Sequence, residues 1–332
     1  MAIGSEVISL LSWLKQSGYL PPSPAVVELG AQQLANTFLR AGPEMDDLGR
    51  IFGCQRPFEM PPPRPSHVGD GQAELLDAEA PFARDFWIWL GFEYAAIDID
   101  GSPGSIPLDL NYDGVPRSAI RKYHLVTNFG TTEHVANQLN AFKIIHDLTV
   151  PGGVMVHHLP AQGMANHGLV NYNAKFFWLL ARSNGYQVLD FDFFASATSY
   201  ELPENLRDYA ASFRPDLRDR MKNYKLTDAG LLVVLQKAYD IPFVAPIDVQ
   251  TGARTHNKRM EKRYWTVFRP DVFFHLPRSH LRVPDRSTPA WSSRLVGWLR
   301  TPPLELSKKV IRRLRRIMAA LYRREHGNLR ES

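Results

Sequence analysis

The chain reads as an α/β protein built on an open, mostly parallel sheet of seven strands, with helices on both faces and an antiparallel final strand. Three observations carry that expectation. Val26-Val27-Glu28-Leu29-Gly30 is an apolar run closed by an acid and a glycine, the pattern of a buried parallel strand before a sharp backbone turn. Residues 94–100 form a second strand that also ends in acid. Pro151-Gly152-Gly153-Val154-Met155-Val156 is a tight turn launching another apolar strand. Open α/β sheets take nucleotide-like ligands at the carboxyl ends of such strands.

The elements follow in order. Val7, Leu10, Leu11 and Leu14 have the spacing of an amphipathic helix ending near Ser17, and Pro21, Pro22 and Pro24 stiffen the approach to the first strand. A helix is expected over 32–39. The segment 42–71 carries Pro43, Pro57, Pro61, Pro62, Pro63 and Pro65, which predicts a helix-free insertion acting as a lid, a binding loop or a spacer. Residues 72–90 return to helical spacing and stop at Gly91. Strands are expected at 94–100, 105–110 and 123–128. Val135, Leu139, Phe142, Ile145 and Leu148 then share one helical face within 133–148. A fifth strand covers 153–158, a helix covers 174–184 up to Gly185, and strands at 186–194 and 231–238 form an antiparallel pair at one sheet edge. The resulting division is an N-terminal helix (1–20), a main domain (21–240), an extension (241–300) and a basic helix with its tail (301–332).

Composition bounds the partners. Hydrophobic residues at 44% supply a full core, which excludes a wholly disordered chain. Cys54 is the single cysteine, so no intrachain disulfide or cysteine metal cluster can form, as suits a reducing, cytoplasmic setting. The first twenty residues lack the basic flank and cleavage site of a secretory signal, and no apolar run reaches membrane-spanning length. Between 304 and 324, Leu306, Val310, Leu314, Ile317, Met318 and Leu321 form an apolar stripe flanked by Lys308, Lys309, Arg312, Arg313, Arg315 and Arg316. Such a helix suits an anionic membrane surface, an acidic partner or its own domain. Nucleic acid is disfavoured, because no groove-reading motif or interleaved aromatic platform accompanies the charge.

Taken together, VVELG, AIDID, PLDLN, VTNFGTTEHV and LTVPGGVMVHHLP resemble, in order, the strand motifs of the class I S-adenosylmethionine-dependent methyltransferases, over about residues 20–240. The resemblance implies a Rossmann-like methyltransferase sheet, S-adenosyl-L-methionine as cofactor, and methyl transfer to a small metabolite, sugar or lipid-linked acceptor. By that likeness Glu28 and Gly30 face the methionine part of the cofactor. Asp98, with Ile99 beside it, takes the ribose hydroxyls; Asp109 and Leu110 border the adenine; Asn128, Phe129 and Gly130 line the floor towards the acceptor. Glycines expected two and four residues after Gly30 are replaced by Gln32 and Leu34, so Gln32 is expected to supply a side-chain contact where bare backbone would otherwise stand.

Methyl transfer needs in-line placement, exclusion of water and, for some acceptors, a base. Glu133 and His134 past the fourth strand, His158 at the end of the fifth and His167 in the following loop are the candidates. His157 and His158 should point to opposite faces of their strand, and His158 lies nearer its tip. Two histidines with a carboxylate also suit iron or zinc, but none of these residues has the i, i+4 spacing of a preformed helical site, so no metal is expected. A nicotinamide-dependent oxidoreductase shares strand, glycine and acid, yet the G-x-G-x-x-G run is missing. A non-catalytic module on the same fold is the third alternative.

Overall fold

The computed structural model describes residues 2–62, 64–65, 79–99, 102, 104–162, 167–195, 229–249 and 255–268. The N-terminal part contains β1 (Ala2–Ile3), α1 (Glu6–Gln16), β2 (Ala25–Leu29), β3 (Gln33–Leu34), α2 (Asn36–Leu39) and α3 (Gly42–Phe52). It continues with β4 (Arg64–Pro65), β5 (Glu79–Ala80), α4 (Arg84–Trp89), β6 (Glu93–Ile97) and β7 (Ser105–Ile106). After these come β8 (Tyr123–Phe129), a 3-10 turn at Thr132–His134, α5 (Gln138–Leu148), β9 (Thr149–Gln162) and α6 (Ala174–Asn184). The last are β10 (Gln187–Ala195), β11 (Ala229–Gln236), α7 (Lys258–Arg263) and α8 (Trp265–Phe268).

Seven strands form one sheet in the order β10-β11-β9-β8-β2-β6-β7. β2 pairs in parallel with both β6 and β8, β6 with β7, and β8 with β9, whereas β11 runs antiparallel to β9 and to β10. The expected sheet is therefore present, with its antiparallel final strand β11 inserted between β9 and the edge strand β10. Strand succession reverses between β2 and β8, and a crevice opens outside the carboxyl ends of the strands at such a point.

Alternation along the strands divides the core. Val27 and Leu29 pack with Phe142 and Ile145 of α5 and Phe177 of α6 on one face. Val26 packs on the other face with Leu11 and Leu14 of α1, Leu48 of α3 and Phe86 and Trp87 of α4. Successive side chains on a strand point to opposite faces, so one apolar run serves both layers. The chain after β11 is tied back to α6 by Asn184, which donates to Val244 O at 2.8 Å and accepts from Val244 N at 2.7 Å.

Several expectations need correcting. The helix predicted over 32–39 is replaced by β3 and the four-residue α2, because β1 pairs in parallel with Gln33 and Leu34. A partner thirty residues away in sequence decides that segment. The insertion does carry a helix at its start: Pro43 occupies the first turn of α3, where a missing N–H costs nothing, and Gly53 closes it in the left-handed region at φ 77°. The helix expected over 72–90 is reduced to α4 within the described part. The strand expected at 105–110 ends at Ile106. In the next helix Leu139 is 55% exposed, and the helix starts only at Gln138, capped by the Asn137 side chain. Residue 63 and residues 66–71 of the insertion, like the basic 304–324 segment, lie outside the described residues.

Candidate functional site

The site grows from the ends of β2, β6, β8 and β9. Gly30 follows β2 at φ 73°, a conformation that a side chain would strain. Three consecutive amides then turn inward: Gly30 N–H donates to Ile97 O at 2.8 Å, Ala31 N–H to Asp98 Oδ2 at 2.8 Å, and Gln32 N–H to Glu28 Oε2 at 3.1 Å. The Gln32 side chain closes the loop further, donating to Leu29 O at 3.0 Å and Gly30 O at 3.1 Å. The Gln32 side-chain amide is thus spent on its own loop.

Glu28 is fully buried, and both of its oxygens are engaged. Oε1 accepts from Trp87 Nε1 at 2.7 Å, and Oε2 accepts from Tyr94 Oη at 2.9 Å as well as from Gln32. Burial pushes its carboxyl up to about 7, and the donors pull the other way. This carboxylate braces the loop. Asp98 stands at the tip of β6, half-buried, with the side chain of Ile99 75% exposed next to it.

On the adenine side of the expected site, Asp109 holds a tight turn. Its Oδ1 accepts from Asn111 N at 2.8 Å, and its own N–H donates to Asp113 Oδ2 at 2.8 Å. Leu110 is buried and its carbonyl accepts from Asn140 Nδ2 at 2.9 Å.

β8 delivers the most ordered part. Asn128 is buried, donating through Nδ2 to Thr132 Oγ1 at 2.9 Å and accepting Thr132 N–H at 3.2 Å. Thr131 Oγ1 donates to Leu29 O, joining this loop to the end of β2. The Tyr172 hydroxyl lies 2.8 Å from Thr132 Oγ1 and 2.5 Å from Gln138 Oε1, and Gln138 Nε2 donates to Thr132 O at 2.6 Å. Phe129 is buried beside the His158 ring, and Gly130, at φ 75°, donates its N–H to His158 O at 3.0 Å. Thr132, Gln138 and Tyr172 escaped sequence reasoning as site-builders; a threonine pair after a strand and a distant tyrosine share no periodicity that would join them.

This framework sets the backbone of Glu133 and His134. Glu133 is 0% exposed, and neither carboxylate oxygen accepts a hydrogen bond. Burial pushes it up to about 7. His167 Nε2 approaches Glu133 Oε1 at 3.6 Å, and the rings of His134 and His167 lie 5.5 Å apart. Burial lowers both imidazoles, His134 also feeling His167. Glu133, His134 and His167 are therefore brought together, by a 3-10 turn and a loop that helical spacing could not reveal. His158 is not in that cluster. Burial depresses it to about 4, and His157, on the opposite face between Phe142 and Phe177, to about 3.

No family model matches the chain, and no curated protein matches it. Among solved structures it is similar to the Burkholderia thailandensis 1,6-didemethyltoxoflavin-N1-methyltransferase, crystallised with 1,6-didemethyltoxoflavin and S-adenosylhomocysteine, at 10% identity and a TM-score of 0.35, over 70% of this chain and 78% of that one. A putative methyltransferase from Bacillus halodurans is similar at 12% identity and a TM-score of 0.33, over 70% and 100% of the two chains. A SAM-dependent methyltransferase from Archaeoglobus fulgidus is similar at 10% identity and a TM-score of 0.33, over 69% and 93%. Likeness at this level carries none of the functional argument, which rests on strand order and site geometry.

Proposed function

We propose that the protein transfers a methyl group from S-adenosyl-L-methionine to a small acceptor at the carboxyl edge of the sheet. The observation that carries the reading is the strand order with its single antiparallel β11, combined with an acid at the tip of the strand beside β2. The residues fit the cofactor best at its nucleoside end. Asp98 would hold the ribose hydroxyls, Ile99 would meet the adenine face, and Asp109 with Leu110 would shape the wall beside it. At the methionine end the amides of residues 30–32 are already committed, so Glu28 and Gln32 act as braces there and Gly30 alone offers close backbone approach.

The bound sulfonium supplies an already activated methyl group. What remains for the chain is to place the acceptor in line, exclude water and receive its proton. Phe129 and Gly130 form the floor, and the polar cluster of Glu133, His134 and His167 lies just past them for proton handling. His158 stays neutral at pH 7 and fits a hydrogen-bonding role.

Replacing Asp98 by alanine should weaken S-adenosylhomocysteine binding by roughly 1 to 3 kcal/mol, the cost of unpaired hydroxyls in a closed site. Asp98→Asn, which keeps an acceptor for Ala31 N–H, separates ligand contact from loop support. Calorimetry on both variants is the check, and equal affinity in all three proteins would remove Asp98 from the site. No heat with S-adenosylhomocysteine and a clear response to NAD would overturn the reading. The inward-turned loop amides favour one alternative, a binding module that keeps the fold without the cofactor; a folded chain silent towards both ligands would support it.

A further inference from the structure

We infer that Glu133, His134 and His167 form a binding site for one divalent transition-metal ion, of the zinc or iron(II) class. The three residues each offer a ligand atom, and these atoms lie within 4.8 Å of one another, the only such group of three found among the described residues. Two imidazoles and one carboxylate are a donor set suited to these ions, one that leaves coordination positions open.

A second, independent feature points to a cation. Glu133 is completely buried, yet both of its oxygens lack hydrogen-bond donors, unlike Glu28, whose oxygens accept three. A buried carboxylate without hydrogen-bond donors is costly, and a cation between it and the imidazoles satisfies it.

The supports are also in place. Glu133 O accepts from Leu169 N at 2.8 Å and Val170 N at 3.1 Å, so the loop bearing His167 is fastened to the residue that it faces. Gly168 permits that approach: a Cβ there would stand 3.0 Å from Glu133 Cγ and from its carbonyl oxygen.

The donor spacing is close to what is needed. Ligands 2.0 to 2.2 Å from a tetrahedral ion stand about 3.4 Å apart. His167 Nε2 and Glu133 Oε1 are already at 3.6 Å. The remaining closure falls to His134, an exposed side chain able to rotate inward. Its exposed side leaves the open positions towards solvent. If the methyl-transfer reading holds, an acceptor with oxygen donors would bind there and lose its proton more readily on the ion.

The test uses the full-length, tag-free chain after treatment with EDTA, with no cofactor added. Calorimetry with zinc should give one site per chain, and cobalt(II) should produce visible absorption bands. His134→Ala and His167→Ala should each weaken zinc by more than about 100-fold, above the 10- to 100-fold that loss of an outer-shell partner costs. His256→Ala, outside the cluster, should change nothing. Circular dichroism checks folding, and Glu133→Gln, close to isosteric, provides a third ligand variant. No zinc binding to the folded chain, or binding that survives the double histidine variant, overturns the site; a simple His167–Glu133 ion pair predicts the first result. Zinc binding without S-adenosylhomocysteine binding would sink the methyl-transfer reading and leave the metal site standing.

Discussion

Replacing Trp87 by alanine will cost about 5 kcal/mol of folding stability, enough to bring a typical domain close to unfolding. Trp87 is 0% exposed and the largest of the fully buried side chains among the described residues. It packs edge-on against Phe92, with ring centroids 5.2 Å apart, and against Phe86 at the same distance. Truncation of a buried tryptophan costs about 3 to 5 kcal/mol through lost transfer energy and cavity formation. It also strips Glu28 Oε1 of its indole donor, and a buried acceptor left unpaired adds about 1 to 3 kcal/mol. Trp87→Phe keeps most of the volume and loses only the N–H, so it should show the smaller part alone. Urea unfolding of the two variants measures both parts. If the phenylalanine variant matched the native protein, the Trp87–Glu28 bond would have no energetic weight and the brace under the Gly30 loop would have to be abandoned.

Stability of the metal-free chain will be nearly flat from pH 8 to pH 6 and then fall by about 3 kcal/mol by pH 4, since each tenfold difference in proton affinity between the folded and unfolded chain is worth about 1.4 kcal/mol. Two sets of buried groups oppose each other. His146, His157 and His158 are depressed by burial to about 4, 3 and 4. Their contribution is complete above the unfolded value of 6.5 and is lost as pH falls towards those numbers, because the unfolded chain takes up the protons first. Glu28 and Glu133 are raised by burial to about 7. Their contribution is complete below the unfolded value of 4.5 and is lost as pH rises through about 7. Between about pH 6 and 7 the two nearly cancel, and below that three histidines outweigh two carboxyls. His157→Leu should therefore shallow the acid limb, and Glu28→Gln should steepen it. Unfolding free energies in EDTA across this range provide the measurement, and an acid limb unchanged in His157→Leu would show that this histidine carries no linkage.

The legible part of the fold was its parallel core. Val26 to Leu29 and the run before Asp98 each announced themselves by local pattern, as did the helix from Ala174 up to its stop at Gly185. The turn expected to launch a strand at Pro151-Gly152-Gly153 lies instead inside β9, which starts at Thr149 and shifts register against β8. The helix in the insertion was missed because prolines were counted without regard to position: Pro43 sits where a helix tolerates it, and Gly53 marks the stop. β3 could not be seen at all, since its partner is the chain's second and third residues.

Within the candidate site, several side chains have partners that the sequence did not announce. Glu28 carries the acid expected at the end of β2, but alternation turns it into the layer of Trp87 and Tyr94, where it braces the loop. Gln32 fills the place of a missing glycine by bonding to carbonyls on its own turn. Helical spacing gave no reason to join Glu133, His134 and His167, because a 3-10 turn and a loop pinned to it bring them together.

By itself, then, the sequence determined the fold class and the main strands of the sheet, with an antiparallel pair near its end, because period-two burial and turn glycines are local properties. Only the tertiary structure decided which polar groups are spent on holding the loop and which are left facing one another. Hydrogen bonds such as Ala31 to Asp98 and Tyr172 to Thr132 join residues 67 and 40 positions apart. No local pattern encodes such a pairing. It exists because packing the two helical layers on the sheet leaves each buried donor few places to go.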